Sequence, residues 1–136
     1  MKASNFDSNA NIIAATYNGN SEWTGSGING GSWRVSPTGS NMINSFIQIG
    51  ATSPGDEFLI EFDTKSGASN KSVELLLEKT FNQNQEGNLY YFASSSEIQT
   101  VKILLKSQIS SSSESIVFRI PGSIQSLTID NLKVTK

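Results

Sequence analysis

Apolar residues along this chain come in short runs, and within most runs they take every second position. Ile43, Ser45, Ile47 and Ile49 share one parity, as do Phe58, Ile60 and Phe62, with Glu57, Glu61 and Asp63 on the other. Val101, Ile103 and Leu105 alternate with Lys102, Leu104 and Lys106, and Ile116, Phe118 and Ile120 alternate with Val117 and Arg119. Successive strand side chains face opposite ways, whereas a helix returns its apolar stripe every third or fourth residue, so the pattern predicts strands. They fall at Ile12–Tyr17, Ser32–Ser36, Met42–Gly50, Glu57–Thr64, Ser72–Thr80, Leu89–Ala93, Ile98–Ser107, Ser115–Ile120 and Ser126–Val134. Val73–Lys79 carries the strongest competing helix signal, because Leu and Glu are good helix formers.

The last predicted strand breaks its own rhythm. Leu127 and Ile129 share a parity, Asp130-Asn131 interrupts, and Leu132 and Val134 resume one step out of phase. A one-residue phase change means a bulge or kink. Turn chemistry punctuates the rest. Ser53-Pro54-Gly55-Asp56 predicts a tight turn, with Pro presetting φ and Gly accepting a positive φ, and Pro121-Gly122 predicts another. Ser66–Asn70, Asn82–Asn88 and the serine run Ser110–Ser113 read as loops. Asn18–Gly31, with five of the eleven glycines, reads as the longest irregular stretch. The sum is an all-β chain: a two-sheet antiparallel β-sandwich of about 8–10 strands, one domain over residues 1–136.

Composition narrows the chemistry. Only 16% of residues are charged and the net charge is -2, with the ten Lys and Arg scattered, so neither nucleic acid nor an anionic membrane is an expected partner. The chain has no cysteine and no histidine. Disulfides, zinc–thiolate sites, thiol nucleophiles and the commonest general base are excluded. No stretch approaches membrane-spanning length, and Met1-Lys2-Ala3-Ser4 leads into polar residues rather than the apolar core of a signal peptide. If Met1 is native, the expectation is a protein made in a cytoplasm; if it is an addition, the expectation is a module cut from a larger secreted protein.

Asn5-Phe6-Asp7 stands near the start, followed by Trp23-Thr24-Gly25-Ser26-Gly27 and Ser32-Trp33-Arg34-Val35. Pro54-Gly55-Asp56 leads into Glu57-Phe58-Leu59-Ile60-Glu61-Phe62, and the chain closes on Ile129-Asp130-Asn131-Leu132-Lys133-Val134. In that order these landmarks resemble the jelly-roll carbohydrate-binding modules, the broad superfamily that includes families 4, 9 and 22, over nearly the whole chain. Ser8 stands where the family pattern has Glu after Phe-Asp. Similar jelly rolls are displayed on phage heads, fibres and tails.

The resemblance implies aromatic platforms for sugars. Trp23, in the glycine-rich stretch, is a candidate glycan or partner contact, against the alternative of a ring plugging one end of the sandwich. Trp33 alternates with Val35 and reads as core. Tyr90 and Tyr91 are adjacent on a strand, so one faces in and the other is a ligand candidate, or half of a cross-strand pair. Asn82, Gln83 and Asn84 form a polar loop able to read hydroxyls, or simply a solvated one. The resemblance also implies a structural calcium ion between the N-terminal segment and the final strand, with Asp7 and Asp130 at the matching positions; the alternative is that Asp130 and Asn131 bond to backbone at the kink. Glu57, Glu61, Asp63, Glu74, Glu78 and Glu86 are marked by no catalytic motif and no cofactor is required, so no catalytic residue is expected. The leading expectation is therefore a non-catalytic phage virion protein, structural, decorative or adhesive, on the virion surface, contacting other virion proteins or cell-surface glycans. The alternative is a carbohydrate-binding module excised from a secreted, extracellular polysaccharide-degrading enzyme.

Overall fold

The structure is a computed structural model that describes residues 2–4, 15–28, 30–78, 84–108 and 110–136. Its strands in chain order are β1 (Lys2–Ser4), β2 (Ala15–Tyr17), β3 (Gly19–Gly27), β4 (Gly30–Pro37), β5 (Ile43–Thr52), β6 (Glu57–Ser66), β7 (Ser72–Glu78), β8 (Asn84–Ala93), β9 (Gln99–Lys106), β10 (Ser111–Ile120) and β11 (Leu127–Thr135), with a 3-10 turn at Gly122–Ile124. Of the segment Val73–Lys79, residues Val73–Glu78 are strand, because the pairing of β7 with both β8 and β10 outweighs local helix propensity; Lys79 lies outside the described residues. All pairings are antiparallel. One sheet runs β3-β4-β11-β6-β9, with β1 beside the second half of β11; the other runs β2-β5-β10-β7-β8. From β4 to β11 the chain changes sheet at every connection except β7–β8, which wraps it around a shared interior.

The alternating positions fill that interior. Phe58, Ile60 and Phe62 of β6 face Ile43 and Ile47 of β5, Leu75 of β7 and Ile116, Phe118 and Ile120 of β10, all essentially buried. Each such side chain contributes about 1.5–3 kcal/mol relative to exposure. Aromatic edges staple the sheets together. Phe118 meets Trp33 at 6.1 Å and Phe62 at 5.3 Å between ring centroids, and Phe62 meets Phe92 at 5.6 Å. Trp33 is thus a core residue, as its alternation with Val35 predicts.

The turn at Ser53–Asp56 forms as predicted, with Asp56 N–H donating to the Ser53 carbonyl and Gly55 at φ 95°. The phase break in β11 is a bulge: the register against β6 jumps between Asp130 and Lys133, and Asn131 takes φ 52°.

Three expected loops are strand. The predicted irregular stretch Asn18–Gly31 contains β3, paired with β4 from Gly19↔Pro37 to Gly27↔Gly30. It escapes an apolar pattern because β3 is an edge strand of small residues whose one large apolar side chain is Trp23. Its glycines answer close approach: a Cβ on Gly27 would come within 2.4 Å of Ser32 Cβ. The serine run joins β10 from Ser111, and the expected Asn82–Asn88 loop enters β8 at Asn84. In both, backbone pairing rather than side-chain pattern holds the strand.

Candidate functional site

Cross-strand partners share a face, so register shows what each sheet presents outward. On the β2-β5-β10-β7-β8 sheet, Tyr17 opposes Asn44, Asn44 opposes Arg119, Arg119 opposes Glu74 and Glu74 opposes Tyr91. These five residues form one row crossing all five strands. Strands lie about 4.8 Å apart, so the two tyrosines stand roughly 19 Å apart along the sheet. Tyr17 is 46% and Tyr91 60% exposed.

The neighbouring row is apolar and closed. Phe46 opposes Val117, Val117 opposes Leu76 and Leu76 opposes Leu89. Phe46, Val117 and Leu76 form a cluster separate from the main core and are buried although they point outward. Tyr17 stands edge-on to Phe46, 5.8 Å between centroids, and so is braced at the boundary between the rows. The exposed rings of this face therefore stand in the tyrosine row, beside a strip whose middle three side chains are buried.

Between the rings the row is polar. Arg119 Nη1 lies 3.5 Å from Glu74 Oε2. That contact is Coulombic rather than a formed hydrogen bond, since Glu74 Oε2 is buried without a hydrogen-bond partner. Arg119 has Glu74 as its one polar partner among the described residues, which leaves most of its five N–H donors available. A pyranose presents C–H groups on its faces and hydroxyls around its rim. Flat rings suit the faces, and guanidinium, amide and carboxylate suit the rim.

The expected site residues scatter around this row. Tyr91 belongs to it. Tyr90 opposes Leu75 and takes core parity, yet is 46% exposed because β8 is the sheet edge. Trp23 opposes the buried Trp33, so its ring sits on the core-facing side of edge strand β3 at the sandwich rim, 39% exposed and against Gly25. It lies on a strand of the other sheet, not in a loop. Asp7, Asn82 and Gln83 lie outside the described residues, and the backbone of Asn84 is in β8. Asp130 is buried at the bulge, its Oδ1 accepting from Asn131 N–H, while Asn131 Nδ2 donates to Asp63 Oδ2. Both bulge residues are thus engaged at the kink; among the described residues no group of three or more acidic side chains is arranged to hold a metal.

Tyr17, Asn44, Arg119 and Glu74 are absent from the expected ligand-binding set. Strand alternation marks each as outward, but only register places them in one row with Tyr91.

The sequence matches no protein-family model and no curated protein. Solved structures share the fold. A family 11 carbohydrate-binding module from Clostridium thermocellum, in complex with a β-1,3-1,4-mixed-linked tetrasaccharide, aligns at TM-score 0.67 and 20% identity over 98% of this chain and 94% of that one. The CBM22-1 xylan-binding domain from Paenibacillus barcinonensis Xyn10C aligns at TM-score 0.70 and 10% identity, over 98% and 91%. The enzymatically active domain of tailspike protein 4 of bacteriophage CBA120 aligns at TM-score 0.56 and 12% identity, over 93% of this chain and 18% of the tailspike. The chain thus has the jelly-roll sandwich of carbohydrate-binding modules.

Proposed function

We propose that this domain is a non-catalytic glycan-binding module that holds an oligosaccharide along the Tyr17–Asn44–Arg119–Glu74–Tyr91 row. The observation that carries the reading is the row itself: two exposed rings flank a partly exposed guanidinium whose one polar partner among the described residues is the carboxylate of Glu74. Tyr17 and Tyr91 take sugar faces, while Arg119, Glu74 and Asn44 hydrogen-bond hydroxyls between them. The guanidinium and carboxylate side by side offer donors and an acceptor to neighbouring hydroxyls without a net charge. Outside the row, Glu61 is engaged with Lys102 and Asp63 with Thr100 and Asn131. The domain acts by binding, and extracellular polysaccharide is the natural target.

The module reading has more support than the virion reading. Whole modules align end to end with this chain, whereas the tailspike is matched over a small part of its length. Affinity electrophoresis through a panel of soluble polysaccharides tests the proposal. Retardation by at least one of them, lost in Tyr17→Ala and in Tyr91→Ala, is expected; free migration of the unaltered protein through every gel would defeat it.

A further inference from the structure

The tyrosine row has a closed apolar row on one side and an open groove on the other. The groove has a volume of about 430 Å³ and is lined by Gly39, Ser40 and Met42 from the β4–β5 connection and Pro121, Gly122 and Ser123 from the β10–β11 connection. It begins where the row ends along the strand direction. Ile120 opposes Ile43 at the last paired position, and Met42 and Pro121 are the next residues out, on the parity of Asn44 and Arg119. The two connections are locked together. Gly122 packs so tightly on the Ser40–Asn41 backbone that a Cβ there would come within 2.7 Å, and Asn18 Nδ2 donates to the Met42 carbonyl. The groove thus adjoins the row at the strand ends, between two connections held against each other. No charged residue lines it, and the exposed Ser40 and Ser123 hydroxyls are unbonded among the described residues.

Resting on the proposed function of the row, we infer that the groove receives a neutral side branch of the glycan whose main chain lies along Tyr17–Tyr91, so that the preferred ligand is a branched rather than a linear polysaccharide. A main chain crossing the strands passes the mouth of the groove at Asn44 and Arg119, where only a substituent projecting along the strands can enter. Met42 and Pro121 offer apolar contact to a sugar face, and the serines offer hydroxyl partners. A charged branch would find no counter-ion there.

Calorimetric titration with paired oligosaccharides, the same β-linked backbone with and without single neutral sugar branches, tests this directly. The unaltered protein is expected to bind the branched member about tenfold more tightly. Gly39 has open space around its Cβ position, so Gly39→Phe fills the groove without displacing the fold and should erase the preference while leaving linear binding unchanged. The Ser40→Ala/Ser123→Ala pair should reduce the preference by about half on a free-energy scale. Equal binding of branched and linear members, or a Gly39→Phe variant that weakens both alike, overturns the branch site and leaves the row standing. Failure of every oligosaccharide to bind overturns both.

Discussion

The outer faces of the two sheets are built from the same alternation, yet they meet water differently. On the β3-β4-β11-β6-β9 sheet, charges stand in complementary sets: Glu22 with Arg34 at 2.7 Å, Glu61 with Lys102 at 3.4 Å, and Asp63 between Thr100 and Asn131. Each set is exposed and mutually satisfied, which is how a sheet face stays soluble and avoids pairing with other chains. On the β2-β5-β10-β7-β8 sheet, the tyrosine row holds one ion pair, Arg119–Glu74, between two rings and beside a buried apolar row. Here charge is scarce, rings are exposed and an arginine has a single polar partner among the described residues. That difference is what the proposed function reads as a solvated face set against a binding face, although both carry polar residues.

The sharpest way to break the contrast is to put a carboxylate at an outward position on each sheet. Val117 points outward but is fully buried, whereas Leu104 points outward from β9 and is 47% exposed. Val117→Asp buries an unpaired charge and should cost about 3 kcal/mol or more, or prevent folding, while Leu104→Asp should change stability by no more than about 0.5 kcal/mol. Urea titration of both variants decides it; equal costs would mean the apolar row is not covered.

Ligand affinity should divide the faces next. Tyr17→Ala and Tyr91→Ala should each weaken oligosaccharide binding about tenfold or more, or roughly 1.4 kcal/mol, and their free-energy losses should add, since the rings are too far apart to touch. Glu61→Gln with Lys102→Gln, on the other sheet, should leave affinity unchanged. Loss of binding in that second variant would move the site to the wrong face.

A smaller effect separates the two kinds of ion pair. Removing Lys102 frees Glu61 at an exposed position and should cost about 0.2–0.5 kcal/mol. Arg119→Ala strands Glu74, whose side chain is 18% exposed, and should cost about 1–2 kcal/mol, recovered in part by adding Glu74→Gln. A double-mutant cycle on each pair measures the difference.

Most of the sandwich was legible because its core strands are written in period two: β6, β9 and β10 each place consecutive apolar residues on one parity, and β5 does the same apart from Ser45. The bulge in β11 was legible for the same reason, as a break in that period. β3 was not, because an edge strand of Gly, Ser, Thr and Asn has little apolar face to alternate. The site was legible only in part. Tyr91 can be read as an outward ring from its neighbour Tyr90, but Tyr17, Asn44, Arg119 and Glu74 lie on four other strands. What joins them is pairing between β2 and β5, β5 and β10, and β10 and β7, which no local pattern encodes. Trp23 was misplaced with β3 itself: once the loop is a strand, its ring belongs to the core-facing side of the other sheet.

The smallest expected effect lies outside both outer faces, at the turn leading into β6, and serves as their reference. Asp56 Oδ2 accepts from Ser53 N–H at 2.9 Å and lies 3.1 Å from Lys136 Nζ. The Ser53 hydrogen bond, helped by Lys136, holds the Asp56 carboxyl below its ordinary value. A lowered folded-state pKa stabilises the fold above the unfolded-state value and loses that contribution as the pH falls through the folded-state value. Asp56→Asn should therefore lower the midpoint of thermal unfolding slightly at neutral pH and by a vanishing amount once the pH has fallen below the lowered folded-state value. Lys136→Ala should reproduce only part of the loss, because the turn's own N–H is the larger cause. A deficit in Asp56→Asn that persists unchanged into acid would show that the side chain acts through the shape of the turn rather than its charge.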